Sequence, residues 1–347
     1  MFTSRLAIAA AVVASLLCLS AGCRKGTPDT DRRTSSADGR RQQAAPDSPI
    51  SDSPFGDAPE TGSAGKGNSL PDRSQLLSQL GEEAQEAILA GETAFTEGDY
   101  ESSVVYFQRA AELHPDNSDV LRALAEALTA AELYTRAAEI YERILAVDAD
   151  DLVTLYNLGV VRTRLAEYHE AELAFRKLLR FDEGHLRALA NLAAVYQLQG
   201  KLYDARRALQ AYIKQDDESA EAHALLGEVL LQLHQPEEAM SHLLTASALD
   251  PNDLAIQLNL ATAARLCGSY GWAATALQAA GKLSPDDPDI FASLGKVLIT
   301  IHLNTGEQKF LDEALAAWRK SLRLDPDQPA LREQLARYSP TGAWQTP

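Results

Sequence analysis

Residues 155–161 read LYNLGVV, residues 189–195 read LANLAAV and residues 257–263 read QLNLATA. Asn191 and Asn259 follow Asn157 by 34 and 102 residues, and 102 is three times 34. The same period extends outward in both directions. Small residues fall at Gly91, Ala125, Gly159, Ala193, Gly227, Ala261 and Gly295, each 34 after the last. A second small residue follows twelve places later, at Ser103, Ala137, Ala171, Ala205, Ala239 and Ala273. Prolines close several units, at Pro115, Pro251 and Pro285.

Each unit holds two stretches of helical spacing, such as Leu155, Leu158, Val161 and Leu165, then Ala171, Phe175, Leu178 and Leu179. A break led by glycine is expected between them, because glycine tolerates the positive φ of a helix end. Gly98, Gly200 and Gly268 supply it in one register. The two small sites let the helices of a unit approach closely. Phe107, Tyr141, Phe175, Leu209, Leu243 and Leu277 are expected to fill the gap to the next unit. No unit buries its apolar face alone, so the units must stack.

Leu155-x2-Leu158-Gly159 followed by Ala171-x3-Phe175 is similar to the tetratricopeptide-repeat pattern, as are Leu226-Gly227, Ala239 and Pro251. The chain resembles a tetratricopeptide-repeat protein over 84–328. The implied fold is all-α, an α-solenoid of seven helix pairs plus a C-terminal capping helix. The units are 84–117, 118–151, 152–185, 186–219, 220–253, 254–287 and 288–328, within a domain spanning 73–338. The seventh is seven residues longer, its second small site displaced to Ala314, and the extra residues LNTGEQKFL (303–311) are expected to lengthen the inter-helix loop. PALREQLARY (329–338) reads as the cap and 339–347 as a disordered tail. LPDRSQLLSQL (70–80) reads as a matching helix at the other end.

The chain has 347 residues and a formal charge of −17. Residues 24–72 hold 7 Lys/Arg and 8 Asp/Glu, or −1, and residues from Arg73 onward hold 24 and 41, or −17. Nucleic acid is therefore not an expected partner. Residues 24–72 contain 19 Pro, Gly or Ser and a single aromatic, Phe55. Such a stretch buries too little apolar surface to order itself. As a flexible coil it spans about 40 Å.

The N-terminus has Arg5 ahead of an apolar run from Leu6 to Leu19, too short to span a bilayer but suited to a signal peptide over 1–22. LSAGC (19–23) resembles a bacterial lipobox through Ala21, Gly22 and Cys23, and departs from it at Ser20, where an aliphatic residue is usual. The resemblance implies lipid on Cys23, a tether over 23–72 and membrane attachment. Arg24, rather than aspartate, after Cys23 implies sorting to the outer membrane, facing the periplasm. Secretion and an inner-membrane anchor are the alternatives. Cys267 would then be the one thiol in an oxidising compartment, and it reads as a small packing residue.

No Gly-rich phosphate loop, HExxH or CxxC occurs, so no enzyme, cofactor or catalytic residue is expected. His223, His234 and His242 are the nearest histidines to one another but fall in different registers, and no metal site is expected from them.

In tetratricopeptide-repeat proteins the first helices line a concave groove that binds peptides, and groove asparagines can bond a peptide backbone. Asn157, Asn191 and Asn259 resemble that register, and a side-chain amide offers both a donor and an acceptor. Leu225 interrupts the series. Neighbouring registers in the third, fourth and sixth units hold Tyr156, Val160, Arg164, Arg187, Gln197, Leu258, Thr262 and Arg265, none of them acidic. Glu92, Glu126, Glu221 and Glu228 occupy the other units. The reading is an extended, apolar or mildly acidic peptide bound along units three to six, with Arg164, Arg187 and Arg265 pairing its carboxylates or C-terminus. The expected role is a membrane-tethered periplasmic protein-interaction scaffold. Two narrower roles stand beside it: a pilotin-like assembly factor for type IV pilus secretins, and an adaptor for periplasmic proteases or cell-wall hydrolases.

Overall fold

The computed structural model describes residues 80–339. The lipobox with Cys23, the tether, most of the 70–80 helix and the tail from 340 lie outside the described residues. Fifteen helices and no strand occur among the described residues. These residues fall into two compact bodies, 80–251 and 252–339. The first body holds five helix pairs. These are α1 (Glu82–Thr96) with α2 (Tyr100–Leu113), α3 (Ser118–Ala130) with α4 (Tyr134–Val147), and α5 (Leu152–Arg164) with α6 (Tyr168–Phe181). Then come α7 (Leu186–Leu198) with α8 (Leu202–Gln215), and α9 (Ala220–Gln232) with α10 (Pro236–Leu249). The second body holds α11 (Leu254–Leu266) with α12 (Tyr270–Leu283), α13 (Pro288–Thr305) with α14 (Gln308–Leu324), and α15 (Pro329–Tyr338) packed on α14. Within the first body α2, α4, α6 and α8 also lie against the first helix of the next pair.

The start of every first helix after α1 is set by one residue in the 34-residue register. Asn117, Asp151, His185, Ser219, Asp253 and Asp287 each accept backbone N–H groups of the following turn. Such a cap satisfies donors that the helix leaves unpaired, each worth about 1 kcal/mol.

The turn inside each of the first six pairs has one conformation. Gly98, Gly200 and Gly268 have φ of +81°, +72° and +70°. Glu132, Ala166 and His234, in the same register, have +59°, +58° and +58°. The turn is therefore imposed by how the two helices pack, and glycine is only its least strained occupant.

The small first site is filled by the large side chain sixteen residues later in its own pair. A Cβ added at Gly159 would lie 2.6 Å from the Phe175 ring, and one at Gly91 3.0 Å from Phe107. At Gly227 the corresponding atom is Leu243 Cγ, at 2.5 Å. The same side chains also meet the next unit, since Phe175 shares a buried core with Ala188, Leu192 and Val195 of α7. In the last pair Trp318 occupies the space beside Gly295 and donates its indole N–H to the Ala292 carbonyl at 3.2 Å.

The seven extra residues do not form a long loop. α13 and α14 have 18 and 17 residues, against 13 and 14 in the preceding pair, and only Gly306 and Glu307 join them. Leu303 and Phe310 continue helical spacing, and Gly306 at φ +73° makes the turn.

Candidate functional site

Asn157 and Asn191 lie on α5 and α7, first helices of adjacent pairs. Both are enclosed, at 2% and 0% exposure. Every residue from Thr154 to Val161 and from Ala188 to Val195 is buried, so α5 and α7 are covered on all sides over two turns. Asn191 Nδ2 donates to the Tyr156 hydroxyl at 2.9 Å. Tyr156 is itself 1% exposed and meets the Phe175 ring edge-on at 6.0 Å and the His185 ring at 5.5 Å. Asn191 Oδ1 is buried with no hydrogen-bond partner among the described residues. One half of this amide is thus held and the other half is not.

The arginines differ from the asparagines. Arg187, at the start of α7, is exposed, whereas Arg164, at the end of α5, is half-buried. Asn259 and Arg265 belong to α11 in the second body, where Asn259 is half-buried and Arg265 exposed.

Carboxylates flank α5 and α7 in the first body. Glu126 on α3 is pushed up to about 7 by burial, with Arg122 acting only partly against this. The reason is that Arg122 is already committed, donating to Asp119 Oδ1 at 3.1 Å and to Asp151 Oδ2 at 2.6 Å. Burial, and then the charge of Glu126, raises the Tyr141 hydroxyl above its ordinary value. On α9, burial raises Glu228, whose Oε1 accepts from Gln197 at 3.4 Å and Gln232 at 3.2 Å. Neither glutamate was part of the sequence-read site. Both were visible only as interruptions of an uncharged register, and their desolvation comes from packing.

The structure brings together two of the three histidines. His223 Nδ1 and His242 Nδ1 are 3.0 Å apart, and His223 Nε2 lies 3.2 Å from the Asp217 carbonyl. The first contact is a hydrogen bond in which one imidazole donates and the other accepts. His234 stands apart in the α9–α10 turn. Among the described residues no group of three or more His, Cys, Asp or Glu is placed to hold a metal ion.

Among the described residues no helix is long and apolar enough to cross a membrane. A tetratricopeptide-repeat family model matches residues 94–158 and a second matches 226–288. Between them, residues 165–246 match the model described as anaphase-promoting complex, cyclosome, subunit 3. No curated protein matches the chain in sequence. The C-terminal part of a TPR repeat-containing protein from Cytophaga hutchinsonii is similar at 15% identity and a TM-score of 0.59, over 70% of this chain and 97% of that one. A tetratricopeptide repeat protein from Parabacteroides merdae is similar at 16% identity and 0.54, over 74% and 99%. Pseudomonas aeruginosa pilF is similar at 19% identity and 0.50, over 63% and 97%. At these identities the likeness is one of fold. Paired helices in one 34-residue register, glycines under the large side chains and the family models agree, and the chain is a tetratricopeptide-repeat protein.

Proposed function

We propose that this protein is a periplasmic scaffold, tethered through lipid on Cys23, whose first helices take an extended segment of a partner protein. Tetratricopeptide-repeat proteins are typically interaction scaffolds without catalysis of their own. The observation that supports a peptide ligand is the Asn191 amide. Its Oδ1 is a buried acceptor left without a donor, which costs about 1–3 kcal/mol. A backbone N–H of an incoming strand removes that cost. Asn191 is sealed in the free protein, so binding on this reading parts it from Tyr156.

The flanking groups select the ligand. Glu126 on α3 and Glu228 on α9 offer no cation to a carboxylate, whereas Arg187 on α7 is exposed to meet one. A mildly acidic segment therefore lies over α5 and α7. Asn259 and Arg265 offer the same two groups in the second body.

The test is crosslinked capture from membranes, comparing wild type with Asn191→Leu and with Arg187→Glu at matched melting temperature. One partner held by wild type and lost from both variants supports the reading. Equal capture by all three overturns it. A secretin subunit or a hydrolase as partner decides between the assembly-factor and adaptor roles. Cys23→Ser releases the protein from membranes if the lipid tether is right.

A further inference from the structure

A second feature of the first body is an open pocket of about 550 Å³ formed by α6, α7 and α8. Leu189 and Leu192 of α7 and Ala208 of α8 are buried beneath it, and the half-buried Leu179 of α6 and Tyr196 of α7 supply the apolar surface it presents. Three arginines stand around it: Arg176 and Arg180 from α6 and Arg207 from α8. Two are engaged within the fold. Arg176 donates to Glu172 at 3.3 Å, and Arg207 pairs with Asp204 one turn away. Glu172 is further neutralised by Lys201 at 2.7 Å; burial raises its carboxyl, but Lys201 and Arg176 outweigh that and hold it below its ordinary value. Arg180 is exposed and makes no ion pair among the described residues.

Three guanidinium groups against two carboxylates leave this pocket with a charge of +1, in a chain whose formal charge is −17. A concave apolar surface beside an uncommitted arginine suits one ligand chemistry. It is a large apolar side chain flanked by carboxylates, the first covering Leu179 and Tyr196 and the second pairing with Arg180. A basic segment meets like charge here.

We propose that this pocket is a second docking site, distinct from the Asn157 and Asn191 site, for an acidic partner peptide carrying one large apolar side chain. The scaffold then holds two segments, one at Asn157 and Asn191 and the other in the pocket of α6, α7 and α8. This inference stands whether or not the reading of Asn191 does.

The experiment uses fluorescence anisotropy with the full chain and three labelled, blocked hexapeptides. The first contains leucine and phenylalanine between aspartates. In the second asparagine replaces every aspartate, and in the third alanine replaces both apolar residues. Only the first is expected to bind saturably, weakening as salt rises. Arg180→Glu is expected to weaken it at least about tenfold, from loss of a charge-assisted bond and added repulsion. Arg180→Lys recovers part of the loss, and Asn191→Leu changes nothing. Arg180 is exposed, so these variants leave folding intact, checked by helicity and melting. No binding of the first peptide, equal binding of all three, or unchanged affinity in Arg180→Glu overturns the proposal. Loss of binding in Asn191→Leu alone assigns the peptide to the Asn157 and Asn191 site and also overturns it.

Discussion

Arg122 on α3 reaches the residue that starts α5: its guanidinium meets Asp151 Oδ2 at 2.6 Å, while Asp151 Oδ1 accepts the backbone N–H groups of Val153 and Thr154 at 3.1 and 3.2 Å. One carboxylate thus caps a helix and ties two adjacent pairs together. Both side chains are largely buried, at 15% and 6% exposure. Asp151→Ala removes the cap and one of the two carboxylates on Arg122, leaving Asp119 at 3.1 Å, with an expected cost of about 1–3 kcal/mol in urea unfolding. Asp151→Asn keeps a capping oxygen and costs less. Burial raises the Asp151 carboxyl, but Thr154 and Arg122 outweigh this and hold it below its ordinary value. Its stabilisation is therefore present above the unfolded carboxylate range and lost as pH falls through the folded value. Equal stability losses for Ala and Asn at pH 7 would show that the cap contributes nothing.

The repeated left-handed turn predicts a gain of stability from glycine. Ala166 at φ +58° sits where Gly200 and Gly268 stand in other pairs. An L-residue there is strained by about 1–2 kcal/mol, offset partly by the greater freedom glycine gives the unfolded chain. Ala166→Gly is expected to stabilise by about 0.5–1 kcal/mol, and Gly200→Ala to destabilise by a similar amount. Thermal unfolding of both variants checks this, and a fall in stability for Ala166→Gly counts against it.

Much of the fold was legible because one residue repeated in register carries much information. The glycines at 91, 159 and 227 and the large side chains sixteen places later mark one contact in each pair. The cap register at Asn117, Asp151, His185, Ser219, Asp253 and Asp287 was equally present in the sequence and carries an independent signal of where first helices begin. The inserted segment misled because Gly306 reads as a loop, whereas its neighbours extend both helices. The site was less legible. Spacing places Asn157 and Asn191 on first helices, but their enclosure depends on how tightly neighbouring pairs close over them. No local pattern reports that closure, nor the desolvation of Glu126.

Glu126 predicts a pH dependence of opposite sign to that of Asp151. Burial pushes its folded-state value up to about 7 from an ordinary 4.5. Between those values the folded chain holds the proton more tightly than the unfolded chain, so stability falls as pH rises from about 4.5 to 7. Burial, and then the neighbouring His223, holds His242 below its ordinary value, which gives a contribution of the opposite slope below about 6.5. The informative quantity is therefore the difference between Glu126→Gln and wild type. The variant is expected to equal wild type below about pH 4.5 and to be more stable by about 3 kcal/mol at pH 8. A difference that does not change with pH would mean that the carboxyl titrates normally in the folded chain.

Asn191→Leu separates the two uses a buried amide can have. Asn191 Nδ2 bonds Tyr156 at 2.9 Å and its Oδ1 has no partner. Leucine removes the unpaired oxygen with its standing cost and also the donor to the Tyr156 hydroxyl. The two effects oppose each other at about 1–3 kcal/mol each whatever the amide serves, so capture rather than stability separates the two uses. The expected outcome is stability within about 1 kcal/mol of wild type, together with loss of the captured partner. Tyr156→Phe is the companion variant. It removes the hydroxyl that holds the amide in the free protein and is expected to strengthen capture, since less must be parted on binding. Weaker capture by Tyr156→Phe, at unchanged stability, would place the tyrosine hydroxyl itself among the ligand's contacts and remove it from the role of latch.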